Sequence, residues 1–344
     1  MTGAVVAALT VASLLGVATG GAAVAGEGGK PGGKPVASLL ASGLQGASGS
    51  TIGPDGALYV TEGRIGQVTR IDPRTGAKTP YVTGLPPAIL PLGGAIDVAF
   101  IGKTAYVLVT LVGDGVPGGT ADDIAGIYRV DGRHSFTTIA DLGSWTVENP
   151  PPPEIDFFVA AGLQFAMQPI RGGFLVTDGH MNRLLKVSLS GDITLIAQYG
   201  NIVPTGLDVK GSRIYMTEAG PVPHLPATGK VVSLSLRHPQ SRQVASGASL
   251  LVDVEWGACG LYALSQGDSP GDVEPGSPAL PDSGELLKVN RNGTVSVIAA
   301  GLDLPTSVDF SRRSAFVVTV DGEVWKVDMT SAGRHGRACG HGAW

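Results

Sequence analysis

The stretch 51–71, TIGPDGALYVTEGRIGQVTRI, constrains this chain most, because versions of it return along the whole length. Pro54-Asp55-Gly56 is a tight turn: proline presets φ, aspartate bonds the local backbone and glycine accepts positive φ. Residues 57–61 (ALYVT) follow as a β-rich run, 62–66 break it, and 67–71 (QVTRI) alternate polar and apolar side chains as a half-buried strand does. A unit this small cannot bury its own face. The pattern comes back in residues 95–130, 160–189, 203–236, 250–289 and 302–327. Copies recurring every roughly 40 to 60 residues mean solenoids, propellers or arrays. A four-stranded unit in about six copies predicts an all-β, six-bladed β-propeller with antiparallel blades.

The repeat overrides the expectation of two domains that a chain of 344 residues would raise. Glycine is abundant (52), charged residues are few (15%) and mean hydropathy is +0.22, which suits stacked sheets buried on both faces. The last copy, ending near Val327, lacks an outer strand. Residues 36–41 are expected to supply it and so close the ring, because closure removes exposed sheet edges. The propeller then spans 36–330.

Residues 1–25 read as a signal peptide: an apolar stretch ends in Ala23-Val24-Ala25, an A-x-A cleavage pattern, although the positively charged start is missing. The alternative is a transmembrane anchor, for which the stretch is long enough but rich in Gly, Ala and Thr. Residues 26–35 read as a flexible linker and 331–344 as a disordered tail. The expectation is a secreted, extracytoplasmic monomer with no stable membrane insertion after cleavage. The two cysteines, Cys259 and Cys339, have the option of a disulfide there. Net charge is −5 and Lys and Arg form no run, so nucleic acid is not expected as a partner.

Long insertions fall between the second and third strands of a blade (112–125, 219–228, 266–283) or between blades (85–94, 143–159). In an up-and-down blade these connections share one face, so the expected partner, a small molecule or protein, sits on that loop-rich face. Glu62, Asp178 and Glu218 each end a second-strand run, and with His180 they are the catalytic candidates. The competing reading is turn chemistry, the carboxylates bonding backbone N–H groups. Trp145, Phe157, Phe158 and His224 are ligand-binding candidates; the first three flank the Pro150–Pro153 run. Asp97, Gln164, Asp208, Asp253 and Asp309 align on the inner strands, either as a ring facing the central channel or as bonds to the neighbouring blade. No cofactor is expected. The acidic loops suit Ca²⁺ by ligand type, but no recognised calcium loop is present, so no firm metal site is assigned.

The order of GPDGALYVTEG (53–63), GIYRVDG (126–132), GGFLVTDGHMNRLLKVSLSGDITLIA (172–197) and GELLKVNRNGTVSVIAAGLDLPTSVDF (284–310) resembles secreted ScyD/ScyE-type propellers. That resemblance implies export, the propeller fold and a setting in secondary metabolism. More broadly the chain resembles NHL and gluconolactonase-like six-bladed propellers. There the family's metal ligands match Ala161, Thr205 and Thr306 here, and threonine replaces a carboxylate or amide poorly. The expectation is therefore a ligand-binding propeller, with a lactonase-like hydrolase or lyase, or a non-catalytic scaffold, as alternatives.

Overall fold

A computed structural model describes residues 37–155, 159–271 and 277–330. Strand β1 (Ala37–Ala41) comes first in the chain and is the last to find its place in the ring. Blade one is β2 (Ala47–Ile52), β3 (Leu58–Glu62), β4 (Gln67–Ile71) and β5 (Lys78–Thr83). Blade two is β6 (Gly94–Ile101), β7 (Thr104–Thr110), β8 (Gly126–Gly132) and β9 (Ser135–Asp141). Blade three is β10 (Gln164–Ile170), β11 (Gly173–Asp178), β12 (Arg183–Ser188) and β13 (Ile193–Gln198). Blade four is β14 (Pro204–Lys210), β15 (Arg213–Glu218), β16 (Gly229–Ser235) and β17 (His238–Ala248). Blade five is β18 (Leu251–Gly257), β19 (Gly260–Ser265), β20 (Gly284–Val289) and β21 (Val295–Leu302). Blade six is β22 (Pro305–Ser311), β23 (Ser314–Thr319), β24 (Val324–Asp328) and then β1, paired antiparallel to β24 through Ala37–Val327 and Ser38–Lys326. The six-bladed propeller with a closing N-terminal strand is as the repeat predicts.

The core is divided among six seams. The apolar cluster at each seam draws from two adjacent blades, because strand side chains alternate between the two faces, and a further small cluster around Leu111, Val116 and Leu163 joins the connections of the loop-rich side. In β7, Val107 and Val109 pack toward blade one while Tyr106 and Leu108 pack toward blade three. These side chains are almost wholly buried, and each contributes about 1.5–3 kcal/mol. Recurrent hydroxyls staple the seams. Thr61 Oγ1 donates to the Ile96 carbonyl (3.3 Å), and Thr177 Oγ1 to the Thr205 carbonyl (2.7 Å), in each case one blade along.

The insertion before blade three departs from the expected plain loop. It opens with helix α1 (Leu142–Glu148). Asp141 caps it, accepting from Ser144 N (2.8 Å) and Ser144 Oγ (2.7 Å), and the proline run beyond cannot extend it. Residues 1–36 and 331–344, with Cys339 and so the proposed bridge to Cys259, lie outside the described residues, as do Asp156, Phe157 and Phe158.

Candidate functional site

Three acids end the second strands of blades one, three and four, and the fold treats them differently. The Glu62 carboxylate is filled: Oε1 accepts from Gln67 Nε2 (2.9 Å) and Thr69 Oγ1, and Oε2 from Gln45 N (2.8 Å). Asp178 is also filled. Its Oδ1 accepts from Leu163 N (3.1 Å) and Met181 N (3.2 Å), and its Oδ2 faces Gln164 Nε2 (3.3 Å) and Arg183 Nη2 (3.5 Å). Both residues of that ion pair are buried, and desolvation outweighs their attraction: the Asp178 pKa is pushed up and that of Arg183 down. At Glu62 and Asp178, then, the carboxylates serve turns and neighbouring strands.

Glu218 occupies the same position in blade four but makes no side-chain hydrogen bond among the described residues. It is 5% exposed, and burial raises its pKa against the opposing pull of Lys230, its cross-strand partner. The Glu218 charge in turn raises the pKa of Tyr199, which is already raised by burial, and the Tyr199 hydroxyl has no partner. His180, in the turn after β11, is lowered to about 4, chiefly by burial and further by His224. His224 is also lowered by burial, and its Nδ1 has no partner. At the loop-rich end of blades three and four, then, two neutral imidazoles lie close enough to influence each other, and so do a phenol and a desolvated carboxylate.

The loop carrying His224 is braced from both sides. Asn201 Nδ2 donates to the Val222 carbonyl (2.7 Å), and Val222 N donates back to Asn201 Oδ1 (2.9 Å). Ser269 Oγ, from the blade-five insertion, donates to the His224 carbonyl (2.8 Å). Trp145, by contrast, packs inward from α1 under the Arg183 guanidinium, 4.9 Å from ring centroid to Cζ, and belongs to the blade two–three core. Tyr199 was not among the sequence candidates. It stands in a connection between blades with no motif around it.

The inner-strand acids show both behaviours foreseen for them. Asp97, Asp253 and Asp309 line a central cavity of about 220 Å³. The ring carboxylates also bond the next blade: Asp97 Oδ2 accepts from Met167 N (2.6 Å), Asp253 Oδ2 from Val308 N (2.8 Å) and Asp208 Oδ2, which is not among the cavity-lining residues, from Trp256 N (2.8 Å). Asp309 closes the ring onto Ser50 Oγ of blade one. Gln164 is not part of this ring. A bulge after Gln164 sets it opposite Asp178 at the loop-rich end, where it bonds Thr110 Oγ1 (3.0 Å) and the Ala161 carbonyl (2.9 Å). Gln168 faces the cavity instead and donates to Asp208 Oδ1 (3.1 Å).

Glu255 also lines the cavity and was missed. It lies two residues beyond Asp253, a spacing that puts both on one strand face. Burial raises all five acids, with repulsion from neighbouring carboxylates added at four: Asp97 to about 7, Asp309 to about 6, and Asp253 and Glu255 well above the usual range; Asp208 is raised by burial against the hydrogen bonds from Trp256 N and Val209 N and the pull of Lys210.

The calcium position of gluconolactonase-like propellers does not fit here. The Thr205 hydroxyl is spent on the Leu251 carbonyl (2.8 Å) and that of Thr306 on the Ser48 carbonyl (2.9 Å), while Ala161 has no side-chain donor. Among the described residues no group of three His, Cys, Asp or Glu is placed to hold a metal ion.

Comparison with solved structures shows that the chain shares its propeller fold with known proteins. A gluconolactonase from Xanthomonas campestris is similar over 86% of this chain and 89% of its own, with 11% identity and a TM-score of 0.58. The PQQ-bound aldose sugar dehydrogenase of Streptomyces coelicolor matches over 87% and 99%, with 13% identity and a TM-score of 0.57. A streptogramin B lyase matches over 86% and 99%, with 12% identity and a TM-score of 0.51. No family model and no curated protein matches the sequence.

Proposed function

We propose that this propeller binds a small molecule on its loop-rich face at the seam of blades three and four, and acts on it by acid–base chemistry of the lactonase or lyase kind. One observation carries the reading: of three acids at one repeat position, Glu62 and Asp178 are saturated by the fold, and Glu218 is left desolvated without a hydrogen bond. A buried carboxylate of raised pKa is suited to take a proton near neutral pH. The protonated Tyr199 hydroxyl beside it is suited to donate to a developing oxyanion. His180 is neutral at pH 7 and can accept or donate without adding charge.

The fold neighbours include a gluconolactonase and a streptogramin B lyase, so this architecture hosts such chemistry, but a shared fold does not carry a reaction across. Export and the ScyD/ScyE setting in secondary metabolism belong to this proposal and rest on the sequence motifs at 53–63, 126–132, 172–197 and 284–310. The test is a thermal-shift and turnover screen of the full chain against sugar lactones and cyclic depsipeptides, repeated with E218Q, Y199F and H180A. Binding or turnover that is lost in E218Q while the melting temperature holds supports the assignment. Hits that survive all three substitutions place the site elsewhere.

A further inference from the structure

The cations of this chain are sorted by face, although its net charge is only −5 and its Lys and Arg form no run. First-to-second and third-to-fourth strand turns emerge opposite the loop-rich face. Every blade contributes at least one exposed cation to that closed face: Arg74, Lys103, Arg171, Arg213, Arg291 and Arg312, in ring order. Of the described Lys and Arg, only Arg64, Arg183 and Lys230 belong to the loop-rich end, and Arg183 is buried against Asp178. Most of the exposed acids lie on the loop-rich connections, among them Asp114, Asp122, Glu148, Glu154, Asp268 and Asp321; the closed-face turns also expose Asp55, Asp131, Asp192 and Asp328, but these are outnumbered by the cations there, and the first two are paired with Arg70 and Arg129. The propeller is therefore polarised along its axis, with the central carboxylates between the two ends. A sequence reading misses this because cations far apart along the chain meet only when the ring closes.

From this we infer that the closed face docks on an anionic lipid bilayer. Two further features favour a bilayer over a nucleic acid. The first-to-second strand turns of blades two, three, four and six are two residues long, too short to wall a groove that could follow a strand. Two apolar side chains stand among the cations on adjacent third-to-fourth strand turns, Leu189 (42% exposed) and Leu236 (45% exposed), while the large exposed apolar side chains include no aromatic that could stack on bases. Cations beside an anionic surface attract it within a Debye length, about 10 Å at 0.1 M salt, and apolar tips add a component that salt does not screen. Docked this way, the protein turns its loop-rich face and Glu218 outward to solvent.

The test is co-sedimentation of the full chain with vesicles of phosphatidylcholine alone and of phosphatidylcholine mixed with phosphatidylglycerol, at low and high salt. The expected result is binding to the mixed vesicles only, weakened by salt. Binding should fall by more than about tenfold in the variant K103E/R171E/R213E/R312E, whose charge changes lie in exposed turns or, for Arg213, at the exposed first residue of β15. Its melting temperature, measured alongside, should match the parent. Any contribution of residues 1–25 is common to both proteins and cancels in the comparison. L189S/L236S should weaken the mixed-vesicle binding that remains at high salt. The inference is overturned by absence of binding at low salt, by equal binding to phosphatidylcholine, by an unaffected charge-reversal variant, by L189S/L236S binding like the parent at high salt, or by a DNA duplex that binds as tightly as the vesicles.

Discussion

Asp97 Oδ2 accepts a 2.6 Å hydrogen bond from Met167 N, seventy residues further along the chain and one blade around the ring. Its Oδ1 accepts from Val98 N (2.8 Å) on its own strand, so one carboxylate joins two inner strands. Asp208 and Asp253 repeat the arrangement at the next acidic junctions, using Val209 and Trp256, and Val254 and Val308. Asp97→Ala should strand the Met167 N–H away from any partner. A buried N–H left in this way costs about 1–3 kcal/mol. The midpoint of denaturant unfolding should fall accordingly, and an unchanged midpoint would show that water replaces the carboxylate at no cost.

The same ring sets a pH dependence with a definite sign. A carboxyl whose pKa is raised in the folded state holds its proton more tightly there than in the unfolded chain. Its contribution to stability is therefore full below the unfolded value, about 4, and is lost as pH rises through the folded value. For Asp309 and Asp97 those folded values are about 6 and about 7. Melting temperature should therefore fall between about pH 5 and pH 8, by several degrees. His180, lowered to about 4, acts in the opposite sense, because its contribution is lost as pH falls below its unfolded value. The surface acids Asp55 and Asp131, lowered by their arginine partners, act only in more acid solution. In Asp97→Asn the slope between pH 5 and pH 8 should be shallower than in the parent. A parent whose melting temperature rises over that interval would contradict the assignment.

Gly206 packs on the next of these acids. A Cβ at Gly206 would stand 2.4 Å from Asp253 Cα and 2.9 Å from the Val252 carbonyl oxygen. Both are main-chain atoms of the neighbouring blade's inner strand, so relief requires moving a blade rather than a rotamer. Gly206→Ala should cost about 1–3 kcal/mol, the range for overpacking a filled core, and calorimetry of the variant reads it directly. A null effect would mean that the seam of blades four and five is looser than its contacts show.

The fold was legible because its information is local and repeated. Turn residues such as Pro54-Asp55-Gly56 and alternation such as Gln67–Ile71 can be read one unit at a time, and six copies overrule any single ambiguity. The inner ring was partly legible for the same reason: Asp97, Asp208, Asp253 and Asp309 share a sequence pattern. Gln164 was misplaced because it stands before the bulge that every inner strand carries, whereas Asp97, Asp208, Asp253 and Asp309 stand beyond theirs, and a bulge has no signature when strands are aligned by eye. The difference between Glu62 and Glu218 was not legible at all. Both follow a threonine at a strand end, and what separates them is whether Gln67 and Thr69 lie across the hairpin or Lys230 does.

That difference yields paired predictions of opposite kind. Glu62 accepts three hydrogen bonds, and one of them, from Gln45 N, holds the link between the closing strand β1 and blade one. Glu62→Ala breaks them all and leaves buried donors unmatched, so it should destabilise by about 2–5 kcal/mol and lower the melting temperature clearly. Glu218→Gln removes a desolvated charge that the fold does not bond, so stability should hold or rise slightly while ligand response disappears. Asp178→Ala belongs with the first group, because it leaves the Arg183 guanidinium buried beside Trp145 without its counter-charge, at about 3–5 kcal/mol. Melting curves for the three variants, read together with the ligand screen, separate structural acids from a functional one. A large loss of stability in Glu218→Gln would move it into the structural group and remove the observation on which the proposed site rests.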